Sequence, residues 1–543
     1  MVAPASRPAG ASPRCRDLSL LVKKLLAVLV AGAVLQTALY EVPAGSQPRT
    51  PRAAASPGAQ PVAQPSAPPE TPDAVTRHTV TVDGKPIDYI ARAGTITLRN
   101  EQEQPTARVF YTGYTIDGAD PTTRPVTFIY NGGPGSSTMW LRMGSFGPVR
   151  VLAGDGKPSG PPPYRIVDNP YSLLDKSDLV FIDMPASGFG RIVGAGKPSD
   201  FFGVDQDVAA FAQFITRYIT AFGRWNSPKF LFGESYGTTR SAALADALLR
   251  QGVALNGVIL LSSILNFGLD YGSGDPIAGG DWAYVFYLPS EAATAWYHNK
   301  IPNRPADLRA FLARIEQFAM TDYADALAQG DRLGGAQRNA IVHRLSDFLG
   351  LSERYIRNSN LRVRYSRFQK ELRRSEGIVV GRLDARYQTF DLDGASERTF
   401  WDATESSIGA PYTVAVNQYL RADLKYDTPL QYRSSVYALI RANGGSWDET
   451  HNRRLPTNVA GDLADAMSQN PSLKIFSANG YYDFATPYFA TVYTLKHLLI
   501  AAPLQKNITF GNYETGHMTY LNDAALAQFK ADLARWYDGA LGR

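Results

Sequence analysis

The stretch from Lys229 to Arg250 constrains this 543-residue chain more than any other. The apolar run Lys229-Phe230-Leu231-Phe232 ends in Gly233-Glu234-Ser235-Tyr236-Gly237, and a helix-compatible stretch, Thr238 to Arg250, follows at once. A buried strand, a glycine-flanked turn and a helix therefore succeed one another with no room for a loop. So sharp a reversal needs small residues where backbones approach closely, and it leaves Ser235 strained above the strand end. The following helix aims its first N–H groups at whatever reacts beside that serine. The pentapeptide alone also arises by chance in a chain with 47 glycines; the flanking strand and helix are what select Ser235 as a nucleophile.

A serine on such a turn works with an acid and a histidine that come later in the chain. Of the six histidines, His78, His298, His343, His451 and His497 lie in stretches with no catalytic context and read as surface or packing residues. His517 lies in the loop Gly511-Asn512-Tyr513-Glu514-Thr515-Gly516-His517-Met518, after the strand-like Asn507-Ile508-Thr509-Phe510. A late loop histidine can swing back over a sheet as the general base. The acid belongs to the loop after the preceding strand, Leu473 to Ala478. Asp483 is the only carboxylate in that loop, Asn479 to Pro487. It can fix the imidazole tautomer, or it can be a helix N-cap, because Pro487 and an apolar helical run follow.

A second glycine-rich turn, Asn131-Gly132-Gly133-Pro134-Gly135-Ser136-Ser137, follows the strand-like run Val126-Thr127-Phe128-Ile129-Tyr130. Adjacent glycines at a strand end can aim backbone N–H groups at a developing oxyanion, with Gly133 and Tyr236 as the expected donors.

These segments, with Asn169-Pro170-Tyr171-Ser172, Phe181-Ile182-Asp183-Met184-Pro185, Gly188-Phe189 and Gly516-His517-Met518, resemble the serine carboxypeptidase family in order and spacing. The glutamate before the nucleophile discriminates most, since esterases and lipases usually carry another residue there. The resemblance implies an α/β-hydrolase fold: a mixed, mostly parallel central sheet flanked by helices, with a mainly helical cap insertion. It implies removal of single residues from peptides with a free C-terminus, with Ser235, Asp483 and His517 as triad. It further implies that Asn131 and the N–H of Gly132 bind the terminal carboxylate, and that Glu234 shares a proton with it. Two carboxylates that close cannot both ionise comfortably. The alternative for Glu234 is a carboxylate tied to neighbouring backbone N–H groups. An esterase or acyltransferase of the same fold and a non-catalytic binding protein are the competing readings.

The departures are specific. Ile129 stands where the family usually has tryptophan, and Thr519-Tyr520 follow His517-Met518 where Val-Pro is common. Ser145 stands where a second glutamate usually bonds the one beside the serine, which leaves a smaller carboxyl network and puts a strongly acidic optimum in doubt. The pattern fits a divergent bacterial-type member.

The rest of the chain sets domains and compartment. Arg7, Arg14, Arg16, Lys23 and Lys24 precede an apolar run from Leu25 to about Tyr40, so residues 1–44 read as a signal peptide or, uncleaved, a membrane anchor. Residues 45–75, rich in Pro, Ala, Ser and Gln, cannot bury a core and read as a flexible linker. The hydrolase core is expected over 76–265 and 434–543, with a helical cap over 266–433. Val208, Phe211, Phe214, Ile215 and Tyr218 recur at helical spacing and read as core, and the aromatics Trp282, Tyr284, Phe286 and Tyr287 read mainly as packing. The one cysteine, Cys15, is lost with a signal, so the mature chain relies on its core rather than on disulfides. Net charge is +5, which suggests no nucleic-acid partner; no spacing suggests a metal, and no cofactor is expected. The compartment expected is secreted or periplasmic.

Overall fold

The computed structural model describes residues 70–269, 280–442 and 445–543. The expected signal segment, Cys15 and the linker up to residue 69 lie outside them. Strand β1 (Ala74–Val82) starts two residues inside the stretch read as linker, because its ladder with β2 (Lys85–Arg99) runs out to the pair Ala74 and Ala93.

β1, β2 and β3 (Pro105–Thr115) form an antiparallel meander. The next strand, β4 (Val126–Tyr130), is buried at all five residues and pairs in parallel with both neighbours. Its unbroken apolar character is the mark of a strand covered on both faces. A small hairpin, β5 (Val149–Val151) with β6 (Ile166–Asp168), stands apart from the sheet. β7 (Asp178–Ile182) joins the two halves, antiparallel to β3 and parallel to β4, and β8 (Arg191–Ile192) pairs with β3. β9 (Lys229–Glu234) and β10 (Gly257–Leu261) extend the parallel half. The hairpin β11 (Ile378–Val380) with β12 (Gln388–Phe390) lies in the insertion, and β13 (Lys474–Gly480) and β14 (Ile508–Tyr513) complete the sheet. The spatial order β1-β2-β3-β7-β4-β9-β10-β13-β14 describes an α/β-hydrolase fold.

Period-two alternation sorts the strand side chains onto two cores. Phe128, Tyr130, Val180, Leu231, Val258 and Leu260 face the helices Val204–Ala221 and Tyr236–Arg250. Ile129, Leu179, Phe181, Phe230, Phe232 and Ile259 face the helix Asp523–Ala540. Within Val204–Ala221, Val208, Phe211, Phe214, Ile215 and Tyr218 are buried, and Asp205 and Asp207 in the first turn complement the helix dipole. Burying a side chain such as Phe211 or Ile215 contributes about 1.5–3 kcal/mol.

Between β10 and β13 the chain folds mainly as helices, among them Trp282–Tyr297, Leu308–Phe318 and Gly335–Leu349, around a third core. The sequence showed no strand there; three-residue strands such as β11 are too short to leave a periodic signal. Tyr284, Phe286 and Tyr287 are buried in this core, and Trp282 stacks on Phe286 with ring centres 5.6 Å apart. Among the described residues no helix is long and apolar enough to cross a membrane.

From β4 the chain moves to β7 on one side, and from β9 to β10 on the other. The loops leaving the carboxyl ends of β4 and β9 therefore diverge and leave a crevice, where ligands bind in open α/β sheets. The Asn131 turn and the Ser235 turn flank that crevice.

Candidate active site

Ser235 sits between β9 and the helix Tyr236–Arg250 with φ +61° and ψ −130°, a conformation that β-carbon-bearing residues adopt only under constraint. The constraint is visible: its N–H donates to Leu261 O at 3.0 Å and its carbonyl accepts from Thr238 N–H at 2.8 Å. A Cβ on Gly233 would lie 2.1 Å from Gly237 O, so only glycine lets the strand and the helix meet. A Cβ on Gly132 would lie 2.4 Å from Tyr236 N, which is how the second turn comes into contact with the first. Arg240 binds them together. Its guanidinium pairs with Asp207 at 2.7 Å, both side chains fully buried, and its Nη1 donates to Asn131 O at 2.8 Å. The N–H groups of Gly133 and Tyr236 are not engaged by another group among the described residues. Gly133, Ser235 and Tyr236 line one cavity.

His517 Nδ1 lies 2.8 Å from Asp483 Oδ2, and both residues are buried. The other Asp483 oxygen accepts the N–H groups of Ala485 (2.7 Å) and Thr486 (3.0 Å), and Thr486 Oγ1 donates to Oδ2 at 2.8 Å. Asp483 is not a helix N-cap; the helix Tyr488–Lys496 is capped at Pro487. Burial pulls the His517 imidazole down, and the charge and hydrogen bond of Asp483 more than offset it, leaving it above its usual value. Ser235 and His517 line one cavity of about 680 Å³. Among the described residues no hydrogen bond joins Ser235 Oγ to the imidazole. The other five histidines lie outside this lining. His451 is a structural link, held between Asp205 (2.6 Å) and Asp462 (2.9 Å), whose hydrogen bonds push it up to about 9.

Asn131, Gly132, Gly133, Glu234 and Tyr236 line the same cavity. Asn131 Oδ1 accepts Leu141 N–H at 3.0 Å, which fixes its amide and turns the nitrogen end toward Glu234. Glu234 is buried, and burial pushes its carboxyl up to about 7; the nearby His517 and hydrogen bonds from Tyr520 and Asn131 pull it back. Tyr520 OH donates to Glu234 Oε2 at 2.9 Å. No backbone N–H holds Glu234 among the described residues, so the alternative reading for it fails.

This alters the expectation drawn from Ser145. That serine donates to Leu141 O at 2.6 Å and does not reach Glu234, so a phenol rather than a carboxyl is Glu234's neighbour. A phenol stabilises the ionised form where a second carboxylate would oppose it. The upward shift of Glu234 therefore comes from burial, and the network is not simply smaller.

The motif residues Asn169 and Asp183 lie outside the cavity lining and brace the surrounding loops. Asn169 Nδ2 donates to Ser145 O and Gly147 O, both at 2.7 Å. Asp183 accepts Thr138 N–H at 2.7 Å, pairs with buried Arg142 and takes the hydroxyl of Tyr432. The sequence reading missed the cavity residues Thr486, Trp140, Trp447, Arg382 and Glu449, and Tyr520 as the partner of Glu234. Thr486 was signalled by its position three after Asp483, where a hydroxyl can close an Asx-type turn. Tyr520 was noticed only as a departure. Nothing in the local sequence marks Arg382 or Glu449. Among the described residues no group of three or more His, Cys, Asp or Glu gathers to hold a metal.

Residues 87–271 match the family model described as serine carboxypeptidase. Carboxypeptidase Y homolog A of Coccidioides posadasii is 25% identical over 187 residues, 34% of this chain and 32% of that one. Carboxypeptidase Y of Saccharomyces cerevisiae is 25% identical over 179 residues, 32% of each. The chain thus spans about a third of the length of the curated relatives it matches. The crystal structure of a prohormone-processing carboxypeptidase from Saccharomyces cerevisiae superposes with a TM-score of 0.50 at 16% identity, covering 83% of this chain and 92% of that one. That likeness concerns the fold.

Proposed function

We propose that this protein is a serine carboxypeptidase that hydrolyses the last peptide bond of peptides with a free C-terminus. Ser235 Oγ attacks the scissile carbonyl while His517 Nε2 takes its proton, and Asp483 holds the imidazole tautomer and the charge that forms. The N–H groups of Gly133 and Tyr236 receive the oxyanion. His517 then returns the proton to the leaving amino acid, and water hydrolyses the acyl-enzyme by the same route.

The observation that carries the peptide-end reading is Glu234, buried and pushed up to about 7 beside Asn131 in the cavity of Ser235. A protonated carboxyl there donates a hydrogen bond to a substrate carboxylate, whereas an ionised one repels it. Asn131 Nδ2 and the N–H of Gly132 supply further donors. A simple esterase has no use for this arrangement.

Incubation with a fluorophosphonate probe tests the chemistry. A single adduct on Ser235, absent from Ser235→Ala, supports the nucleophile; no adduct favours a non-catalytic binding protein. Export is a separate part of the proposal and rests on residues 1–44 alone. An N-terminus near residue 45 in the mature protein supports it, and an intact Met1 would turn the segment into an anchor. The proposed bacterial lineage rests on Ile129, Ser145 and Thr519-Tyr520, since the relatives named above are fungal.

A further inference from the structure

The segment Arg382–Arg386 follows β11 in the insertion, yet its hydrogen bonds run to the two loops that carry Asp483 and His517. Phe484 N–H donates to Arg382 O at 3.0 Å and Ala385 N–H donates to Tyr482 O at 2.9 Å, so both chain neighbours of Asp483 are tied to it. His517 N–H itself donates to Leu383 O at 2.6 Å. Gly516 N–H donates to Asp384 Oδ2 at 3.1 Å, and Arg386 Nη2 donates to Thr515 Oγ1 at 3.0 Å. The three residues Thr515, Gly516 and His517 are each held by this one segment.

The segment is rigid because of what lies inside it. Asp384 is fully buried and forms a two-pronged pair with Arg386, whose Nη2 is 2.6 Å from Oδ2 and whose Nε is 3.0 Å from Oδ1. Arg386 N–H also donates to Oδ1 at 3.0 Å, and Asp384 N–H donates to Thr404 Oγ1 at 3.0 Å. Planar fork-to-carboxylate pairing of this kind fixes orientation as well as distance. The contact is close: a Cβ on Gly516 would lie 2.4 Å from the Asp384 Cβ.

We propose that Asp384 and Arg386 are positioning residues that hold the Asp483 and His517 loops in register, so that the insertion aligns the acid and base as well as covering them. The inference rests on the triad reading above. Neither residue touches a reacting atom; both act through the backbone of residues 515–517 and the segment around Asp483. A loop displacement well under the length of a bond misaligns a proton transfer, which is where the cost falls.

The test compares the full chain with Asp384→Asn, with the charge-neutral double variant Asp384→Asn/Arg386→Gln, and with Gly516→Ala, which pushes on the contact from the other side. Asp384→Asn leaves the buried Arg386 with only the half-exposed Asp155, 2.7 Å away, as a charge partner, so the double variant guards against simple unfolding. Turnover is counted per fluorophosphonate-titrated site. We expect kcat per site to fall at least about tenfold, with KM kept within about twofold. The acid limb of kcat/KM moves to lower pH, because a loosened Asp483 no longer holds the imidazole up. The downfield proton resonance of His517 Nδ1–H shifts or disappears. Fewer titratable sites with unchanged kcat per site, acid limb and proton resonance would mean that the pair only stabilises the fold, and would overturn the inference. Should the wild-type chain fail to label at Ser235, the proposed function is what fails. The proton resonance then decides the inference alone, since it reports the Asp483–His517 hydrogen bond without turnover.

Discussion

Glu234→Gln separates recognition of a substrate carboxylate from the chemistry of acyl transfer. Glu234 is buried and pushed up to about 7, so in the free protein its proton is half lost there. Above that pH the protonated fraction falls roughly tenfold per unit, to about a hundredth at pH 9. For an N-blocked dipeptide with a free C-terminus, wild-type kcat/KM should follow that fraction down. Glutamine has the same shape and donates at every pH, so the alkaline limb should vanish. The ratio of variant to wild-type kcat/KM should then rise about fiftyfold between pH 7 and pH 9. A second shift has the opposite location. The ionised Glu234 helps hold His517 up, so for an ester, whose turnover does not need the Glu234 proton, its loss should move the acid limb to lower pH. The two groups interact, so both limbs report the pair rather than either residue. For an ester with no free carboxylate, only the acid limb should respond. Stopped assays of released amino acid from about pH 4 to 9 measure all of this. An alkaline limb that persists unchanged in the variant would refute the shared-proton argument.

Other perturbations bear on separate parts of the account. Tyr520→Phe removes a hydrogen bond that favours ionised Glu234, so the alkaline limb for free-acid peptides should move up by about one unit, read from the same profiles. Ser235→Ala should abolish acyl-enzyme formation, and a burst of product in that variant would remove the assigned nucleophile. Gly132→Ala forces a Cβ toward Tyr236 N, and kcat should fall about a hundredfold as the donor pair separates. Asp207→Ala strands the buried Arg240 cation and should cost about 3–5 kcal/mol in thermal unfolding.

The residues that announced themselves in the sequence did so because covalent neighbours impose their geometry. Ser235 is legible because a strand, two glycines and a helix leave its backbone one path, and the observed φ of +61° is that path. Asp483 and His517 could be chosen because few candidates sit in loops after strands late in the chain. The parallel pairing of β4 is not legible in its own residues, because strand direction is a property of its partners, which the local sequence does not carry. The hairpins β5–β6 and β11–β12 escaped for want of length. Tyr520 lies three residues after His517 yet faces Glu234, nearly three hundred positions away, and only the folded chain pairs them. Asp384 and Arg386 were invisible for the same reason. Their meaning lies in what they hold, across more than a hundred residues.

The most direct test of the central claim is the ratio of kcat/KM for an N-blocked dipeptide and its C-terminal amide, measured with the protein and with Ser235→Ala. The account predicts strong preference for the free acid below about pH 7, where Glu234 keeps its proton, and no release of the last residue by the variant. Equal turnover of acid and amide would leave the serine chemistry standing and contradict the reading of Asn131 and Glu234 as the site that recognises a peptide's end.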